Sequence, residues 1–237
     1  MLEKILSNFI NFFFPSFCIS CGRSLTYNEI LFCDECFSKL PIAKSYCNRC
    51  GTLLSESLLN FFSNETLIYC SFCEKQKLPY DKVFIGFLYK DPIKKLLYKA
   101  KFSDEFSIAY HLGKLLRKVC SINLDEYDLI SPIPLSIKRQ RQRGYNQSLL
   151  ILWGYVGIKK FPQSLTRVKH TKPQSFLDSK ERWENIKDAF QCTENLNGKR
   201  VLLLDDVMTT GATLIEASSI LKKAGAKEVH LLVLARA

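Results

Sequence analysis

The residues that could do chemistry fall in a few short runs. Four C-x-x-C pairs stand within the first 73 residues: Cys18/Cys21, Cys33/Cys36, Cys47/Cys50 and Cys70/Cys73. Such a pair brings two thiolates from one tight turn to the same metal, and two pairs complete a tetrahedron. Cys21 and Cys50 are followed by Gly22 and Gly51, which suits a turn that needs positive φ. The pattern reads as zinc ribbons with one or two structural zinc sites, because four thiolates leave no open position for a catalytic water. The simplest pairing puts Cys18, Cys21, Cys33 and Cys36 on one ion and Cys47, Cys50, Cys70 and Cys73 on another; the spacing leaves interleaved pairing open. Disulfides need an oxidising compartment. Met1–Phe17 carries Glu3, Pro15 and no small-residue cleavage site, so it does not read as a signal peptide. Cys120 and Cys192 stand apart and read as small buried hydrophobes.

A second run is Val201-Leu-Leu-Leu-Asp205-Asp206-Val207-Met208-Thr209-Thr210-Gly211-Ala212-Thr213. An apolar strand ends in two carboxylates, and a hydroxyl- and glycine-rich loop leads into a helix. Ligands of open α/β sheets sit beyond the carboxyl ends of strands. The loop amides and the helix N-terminus make an anion site. The carboxylates suit ribose hydroxyls and can help hold a Mg²⁺ that bridges phosphate oxygens. A third run is basic. Positions 129–177 carry nine Lys/Arg and no Asp or Glu, among them Lys138, Arg139, Arg141 and Arg143. A one-signed stretch of this length points to a polyanionic partner.

The elements that must position these runs follow from periodicity. Val83–Tyr89, Leu129–Leu135, Val201–Leu204 and Val229–Leu234 read as strands. Pro92–Phe102, Phe106–Val119, Asn146–Val156 and Thr213–Ala224 read as helices, with Asn146 as an N-cap. Apolar strands alternating with amphipathic helices imply an α/β fold, a mostly parallel sheet flanked by helices on both faces. Leu2, Ile5, Leu6, Phe9, Ile10 and Phe13 recur at helical spacing. Lys4 and Glu3 give that helix little electrostatic pull toward anionic lipid, so it is expected to pack internally. The chain divides into residues 1–80, an N-terminal helix and Cys₄ module of zero net charge, and residues 81–237, which hold the whole formal charge of +11. No apolar run reaches the roughly 18 residues that a membrane span needs. The glycines form neither G-x-G-x-x-G nor a P-loop.

Four apolar residues, two acids, two variable positions and T-T-G-x-T resemble the phosphoribosyl diphosphate (PRPP) signature of type I phosphoribosyltransferases. Ser131-Pro132-Ile133-Pro134-Leu135, the run Arg141-Gln-Arg143-Gly144-Tyr145-Asn146-Gln147, and Arg167, Thr171, Gln174, Arg182, Asn185, Ala189 and Phe190 extend the likeness. With the cysteine-rich N-terminus, nearly the whole chain resembles the ComF family of competence-associated phosphoribosyltransferase-like proteins. The resemblance implies ribose binding by Asp205 and Asp206, and a 5′-phosphate cradle from Thr209 to Thr213, with Val207 and Met208 in the same loop. It implies a pyrophosphate loop at Ser131, Pro132 and Ile133, often built on a strained peptide. Lys138, Arg139, Arg141, Arg143 and Tyr145 are then placed to grip a diphosphate or DNA. Tyr145, Trp153, Tyr155 and Phe176 are candidate stacking faces for bases. Three residues follow the last expected strand, so no C-terminal hood that selects a base is expected.

Three functions are open on these residues. One is a competence protein that binds PRPP with Mg²⁺ and handles single-stranded DNA during natural transformation. Another is an active phosphoribosyltransferase of unknown acceptor, and the last a PRPP-sensing regulator without turnover. The family role implies a cytoplasmic protein, a translocase or helicase partner in the DNA-uptake machinery, and peripheral contact with the inner face of the cytoplasmic membrane.

Overall fold

The computed structural model describes residues 16–54, 68–103, 105–158, 161, 164–169 and 179–237. The helix expected over Leu2–Phe13, and Thr171, Gln174 and Phe176, lie outside the described residues. Four parallel strands form the main sheet: β1 (Lys82–Leu88), β2 (Leu129–Pro132), β5 (Arg200–Met208) and β6 (Glu228–Arg236), in the order β1-β6-β5-β2. The central strands are apolar on both faces because both faces are covered. Leu202, Leu204, Leu232 and Leu234 point to one core, and Val201, Leu203, Leu231 and Val233 to the other, as the two-residue period of a strand requires.

The first core is closed by α3 (Ile93–Phe102), α4 (Phe106–Val119) and α6 (Gln147–Val156). Helices α4 and α6 cross at glycine. A Cβ on Gly113 would overlap the Ile151 carbonyl, and one on Gly154 the Tyr110 carbonyl, so the two backbones touch. The second core is closed by α8 (Ala212–Lys223) and a small antiparallel sheet of β3 (Leu165–Arg167) and β4 (Phe190–Cys192), with α7 (Ser179–Ile186) beside it.

The cysteine module adds α1 (Asp34–Ser38) and α2 (Ser71–Lys75), which start directly after Cys33 and Cys70. Gly22 and Gly51 take the expected positive φ, 75° and 72°. The module covers the free edge of β1. Leu88 N–H donates to Pro41, Ala43 N–H to Gly86 and Val83 N–H to Asn48, at 2.7, 3.0 and 2.7 Å. An edge strand left bare is a template for unwanted pairing. Leu25, Phe32 and Leu40 join the first core beside Phe87 and Ile93.

Two expectations shift. Strand β5 does not end at Leu204, because β6 runs on to Arg236 and pairs Asp205 with Val233, Val207 with Ala235 and Met208 with Arg236. The acids are therefore held on a strand rather than in a loop. The basic run forms an additional helix, α5 (Ile137–Arg143), closed by Ser136 and by Gly144 at φ 74°. Its residues are polar all round apart from Ile137, so it shows no helical period in sequence.

Candidate functional site

The end of β5 carries the carboxylates. Asp205 is half-buried, and its Oδ1 accepts hydrogen bonds from Ser148 Oγ at 3.0 Å and from Asp206 N–H at 2.9 Å. Burial, with the neighbouring Asp206 charge, pushes Asp205 up to about 7; Lys101 and Ser148 act against that rise. Asp206 Oδ2 forms an ion pair with Lys101 Nζ at 2.7 Å. Lys101 lies in the last turn of α3, and nothing in its sequence neighbourhood marks it as a site residue.

Beyond Met208 the chain turns through Thr209, Thr210 and Gly211 into α8. Gly211 sits in the left-handed region at φ 79°, and Ala212 N–H donates to Thr210 Oγ1 at 3.4 Å. The first turn of α8 thus directs backbone dipoles at the space beside Asp205 and Asp206. Val207 is half-buried. Met208 is buried, and its carbonyl accepts from the Arg236 guanidinium at 3.0 Å, so its side chain faces the core rather than a ligand.

The end of β2 approaches from the other side. The side chains of Ser131 and Ile133 are buried, and Pro132 is half-buried. Among the described residues the cis peptide bond is Asp91–Pro92 and positive φ outside glycine occurs at Leu31 and Asp188, so residues 131–135 show neither form of the strain expected there. What this segment can offer an anion is backbone. Asn146 fixes it: Nδ2 donates to the Ile133 carbonyl at 3.0 Å, while Oδ1 caps α6 through Ser148 N–H at 3.0 Å. One residue therefore holds the β2 loop and the helix that supplies Ser148 to Asp205.

Helix α5 presents two faces. Arg139 and Arg143 are half-buried, and the Arg143 guanidinium stacks 5.2 Å from the Phe102 ring centroid. Burial lowers the Arg139 pKa, the Arg143 charge adds to that, and Asp206 opposes it, which places all three in one electrostatic neighbourhood. Arg167 on β3 joins them. It is buried beside Phe190, and burial with the Arg139 charge brings it down to about 10 against the pull of Asp205. The opposite face of α5, with Lys138 and Arg141, meets Arg167 and Lys169 across a cleft of about 640 Å³ completed by Ser136, Ile137, Gln142 and Val168. Among the described residues no acid and no aromatic ring lines it. Tyr145 turns inward and donates its hydroxyl to the Ala100 carbonyl at 2.6 Å. Trp153 is half-buried. Tyr155 is core, bonded to the Cys120 carbonyl at 2.6 Å, so it has no free face for a base.

The cysteines form two clusters, Cys18/Cys21/Cys33/Cys36 and Cys47/Cys50/Cys70/Cys73, each with its sulfurs within 4.8 Å of one another. The simple pairing holds and the interleaved one does not. Sγ–Sγ distances of 3.7 Å (Cys21–Cys33) and 3.6 Å (Cys50–Cys70) match the edge of a tetrahedron with zinc–sulfur bonds of about 2.3 Å. Burial alone would raise the Cys18 and Cys47 thiols, yet the surrounding backbone N–H groups outweigh it and bring them to about 6 and about 7, while the Cys33 thiol pushes Cys36 up and burial pushes Cys73 up. Both clusters therefore fit structural zinc. Cys120 and Cys192 are half-buried, more exposed than expected. The second cluster reaches the β5–α8 loop through Arg236. Its Nε donates to the Gly51 carbonyl at 3.3 Å, and its Nη1 donates to Met208 and Thr209 at 3.0 and 2.5 Å. Nothing in the sequence pointed to Arg236.

Comparison with known proteins agrees with this layout. The phosphoribosyl transferase domain family matches residues 157–237, and the double zinc ribbon domain family matches residues 9–74. Competence protein F of Haemophilus influenzae is 34% identical over 98% of this chain and 100% of its own length. DNA utilization protein YhgH of Escherichia coli K12 is 28% identical over 94% of this chain and 97% of its own. Competence protein ComFC of Streptococcus pneumoniae is 27% identical over 92% of this chain and 99% of its own. The fold is that of a type I phosphoribosyltransferase joined to an N-terminal zinc ribbon module.

Proposed function

The chain belongs to the ComF family of competence protein F, and we propose that it binds PRPP at the β5–α8 loop and carries single-stranded DNA across the α5 cleft in natural transformation. The observation that carries this reading is the pairing of two adjacent sites at the carboxyl edge of the sheet. One is a hydroxyl-rich loop beside half-buried carboxylates; the other is a basic cleft without an acid.

In this reading Asp205 and Asp206 accept the ribose hydroxyls, and Thr209–Thr213 hold the 5′-phosphate at the start of α8. The backbone at Ser131–Ile133 with Arg139 and Arg143 takes the diphosphate, where planar guanidinium groups bind phosphate oxygens in pairs. Asp205 and Asp206 are the oxygen donors that would help hold a Mg²⁺ bound with PRPP, which would neutralise charge on the diphosphate. Lys138, Arg141 and Lys169 take phosphates of a DNA strand. With no aromatic ring among its described lining residues, the cleft is built to grip backbone rather than bases, so little sequence preference is expected. The chain divides near residue 80 into the zinc ribbon module and the phosphoribosyltransferase-like domain. Among the described residues no helix is long and apolar enough to cross a membrane. The same reading puts the protein in the cytoplasm with the DNA-uptake machinery.

The test has two arms on the full zinc-loaded chain. PRPP with Mg²⁺ should raise the melting temperature of the wild type, and Asp205→Ala with Asp206→Ala should abolish the rise. Single-stranded DNA affinity should fall steeply with salt, and Lys138→Ala, Arg141→Ala and Lys169→Ala together should flatten that slope by about three phosphate contacts. An unchanged slope would remove DNA from the cleft; no shift with PRPP would remove the nucleotide sugar from the loop.

A further inference from the structure

Lys101 occupies the carboxylate that a ribose ligand needs. Its Nζ stands 2.7 Å from Asp206 Oδ2, with the two side chains only 21% and 15% exposed. Asp205 Oδ1 already receives Ser148 Oγ and the Asp206 amide, which leaves Oδ2 as its open oxygen. A ribose hydroxyl bound at Asp206 Oδ2 must displace an ammonium. A hydroxyl is a neutral donor and replaces a charged one poorly, and the released lysine is left half-buried without its counter-charge.

The position of α3 shows where that lysine can go. Its next residue, Phe102, lies under the Arg143 guanidinium at 5.2 Å, and Ala100 accepts the Tyr145 hydroxyl at 2.6 Å. Lys101 thus stands on the α5 side of the carboxylates, in the neighbourhood of Arg139 and Arg143. A ligand with charge only at the threonine loop gives the displaced ammonium no new partner. A ligand with a second anionic group toward α5 does, and one ion pair is then exchanged for another.

We propose that Lys101 is a specificity-determining residue that selects a diphosphorylated ribose over ribose 5-phosphate, by guarding Asp206 until a diphosphate takes its ammonium. The inference rests on the PRPP reading above. It assigns Lys101 two alternating partners, Asp206 in the free protein and the diphosphate in the complex.

The experiment is calorimetric titration of the full zinc-loaded chain with PRPP and with ribose 5-phosphate, both with Mg²⁺. Lys101→Met should bind ribose 5-phosphate more tightly and PRPP more weakly than the wild type. The ratio of the two affinities should fall by about tenfold or more, the worth of one charged hydrogen bond. Lys101→Arg should keep the ratio within a few-fold of wild type. A purely structural ion pair would weaken both ligands together and leave the ratio unchanged; that result overturns the proposal. A wild type that binds neither ligand would instead overturn the PRPP reading beneath it. Should Lys101→Met fail to fold, Asp206→Asn frees the ammonium without removing it. Inorganic pyrophosphate should then bind Asp206→Asn about tenfold more tightly than the Asp206→Asn, Lys101→Met double variant, and equal binding sinks the idea.

Discussion

At the residue scale the site works against stability. Asp205 is raised from its ordinary 3.8 to about 7, by burial first and the Asp206 charge second. A carboxyl with a raised folded-state pKa binds its proton more tightly in the folded protein, so ionising it costs stability. That cost is absent below 3.8, grows as pH rises toward about 7, and is constant above. Asp205→Asn should therefore melt at a higher temperature than the ligand-free wild type in mildly alkaline buffer, and the gap should close as the buffer is acidified. Thermal melts across pH on both proteins measure this, and a variant that melts below wild type at every pH would count against a desolvated carboxyl. The acids, the threonines and Gly211 were legible in sequence because a hydroxyl- and glycine-rich loop after two acids has few uses other than holding an anion. Lys101 was not legible as a member of this site, since it is an ordinary basic residue whose partner lies on a distant strand, and Arg167 was marked only as part of the family likeness, with no role at the carboxylates.

At the element scale, what positions Asp205 is the crossing of α4 and α6. Ser148 on α6 reaches Asp205 because the helix lies close to α4, and it lies close because Gly113 and Gly154 present no side chain at the contact. Gly113→Ala should destabilise the protein by about 1–3 kcal/mol as an overpacked contact, and should weaken PRPP binding by shifting Ser148. Denaturant unfolding and ligand titration of the same variant test the two effects separately. Unaltered stability would mean that the helices part without cost. Helices α4 and α6 were expected on their periodic apolar faces, to within a residue of the observed ends. Helix α5 and the β3–β4 pair were not. Seven residues that are almost all charged or amide-bearing carry no period, and three-residue strands are too short for one.

On the scale of the whole molecule, the zinc module is part of the site's foundation. It pairs with the edge of β1 and shares the first core. Through Gly51 and Arg236 it also contacts the carbonyls of Met208 and Thr209 at the root of the β5–α8 loop. Stripping zinc with a chelator should lower the melting temperature and also reduce PRPP affinity at a temperature where the sheet remains folded. Circular dichroism beside calorimetry separates the two. Full PRPP affinity in a zinc-free, folded protein would rule out the link. Zinc also reshapes the charge, because eight thiolates on two ions would give residues 1–80 about −4 and leave the basic surface to residues 81–237. The sequence by itself determined the local chemistry: which C-x-x-C pairs offer thiolates to a metal, which loop has the composition of an anion cradle, and which segments form the parallel sheet. Each of these is written in spacing and period over a few neighbouring residues. Only the tertiary structure decided that Lys101 closes Asp206, that Arg236 ties a zinc knuckle to the loop, and that α5 splits its cations between the carboxylates and a separate cleft. Those contacts join residues far apart in the chain, and their strength depends on burial and distance, which no local pattern encodes.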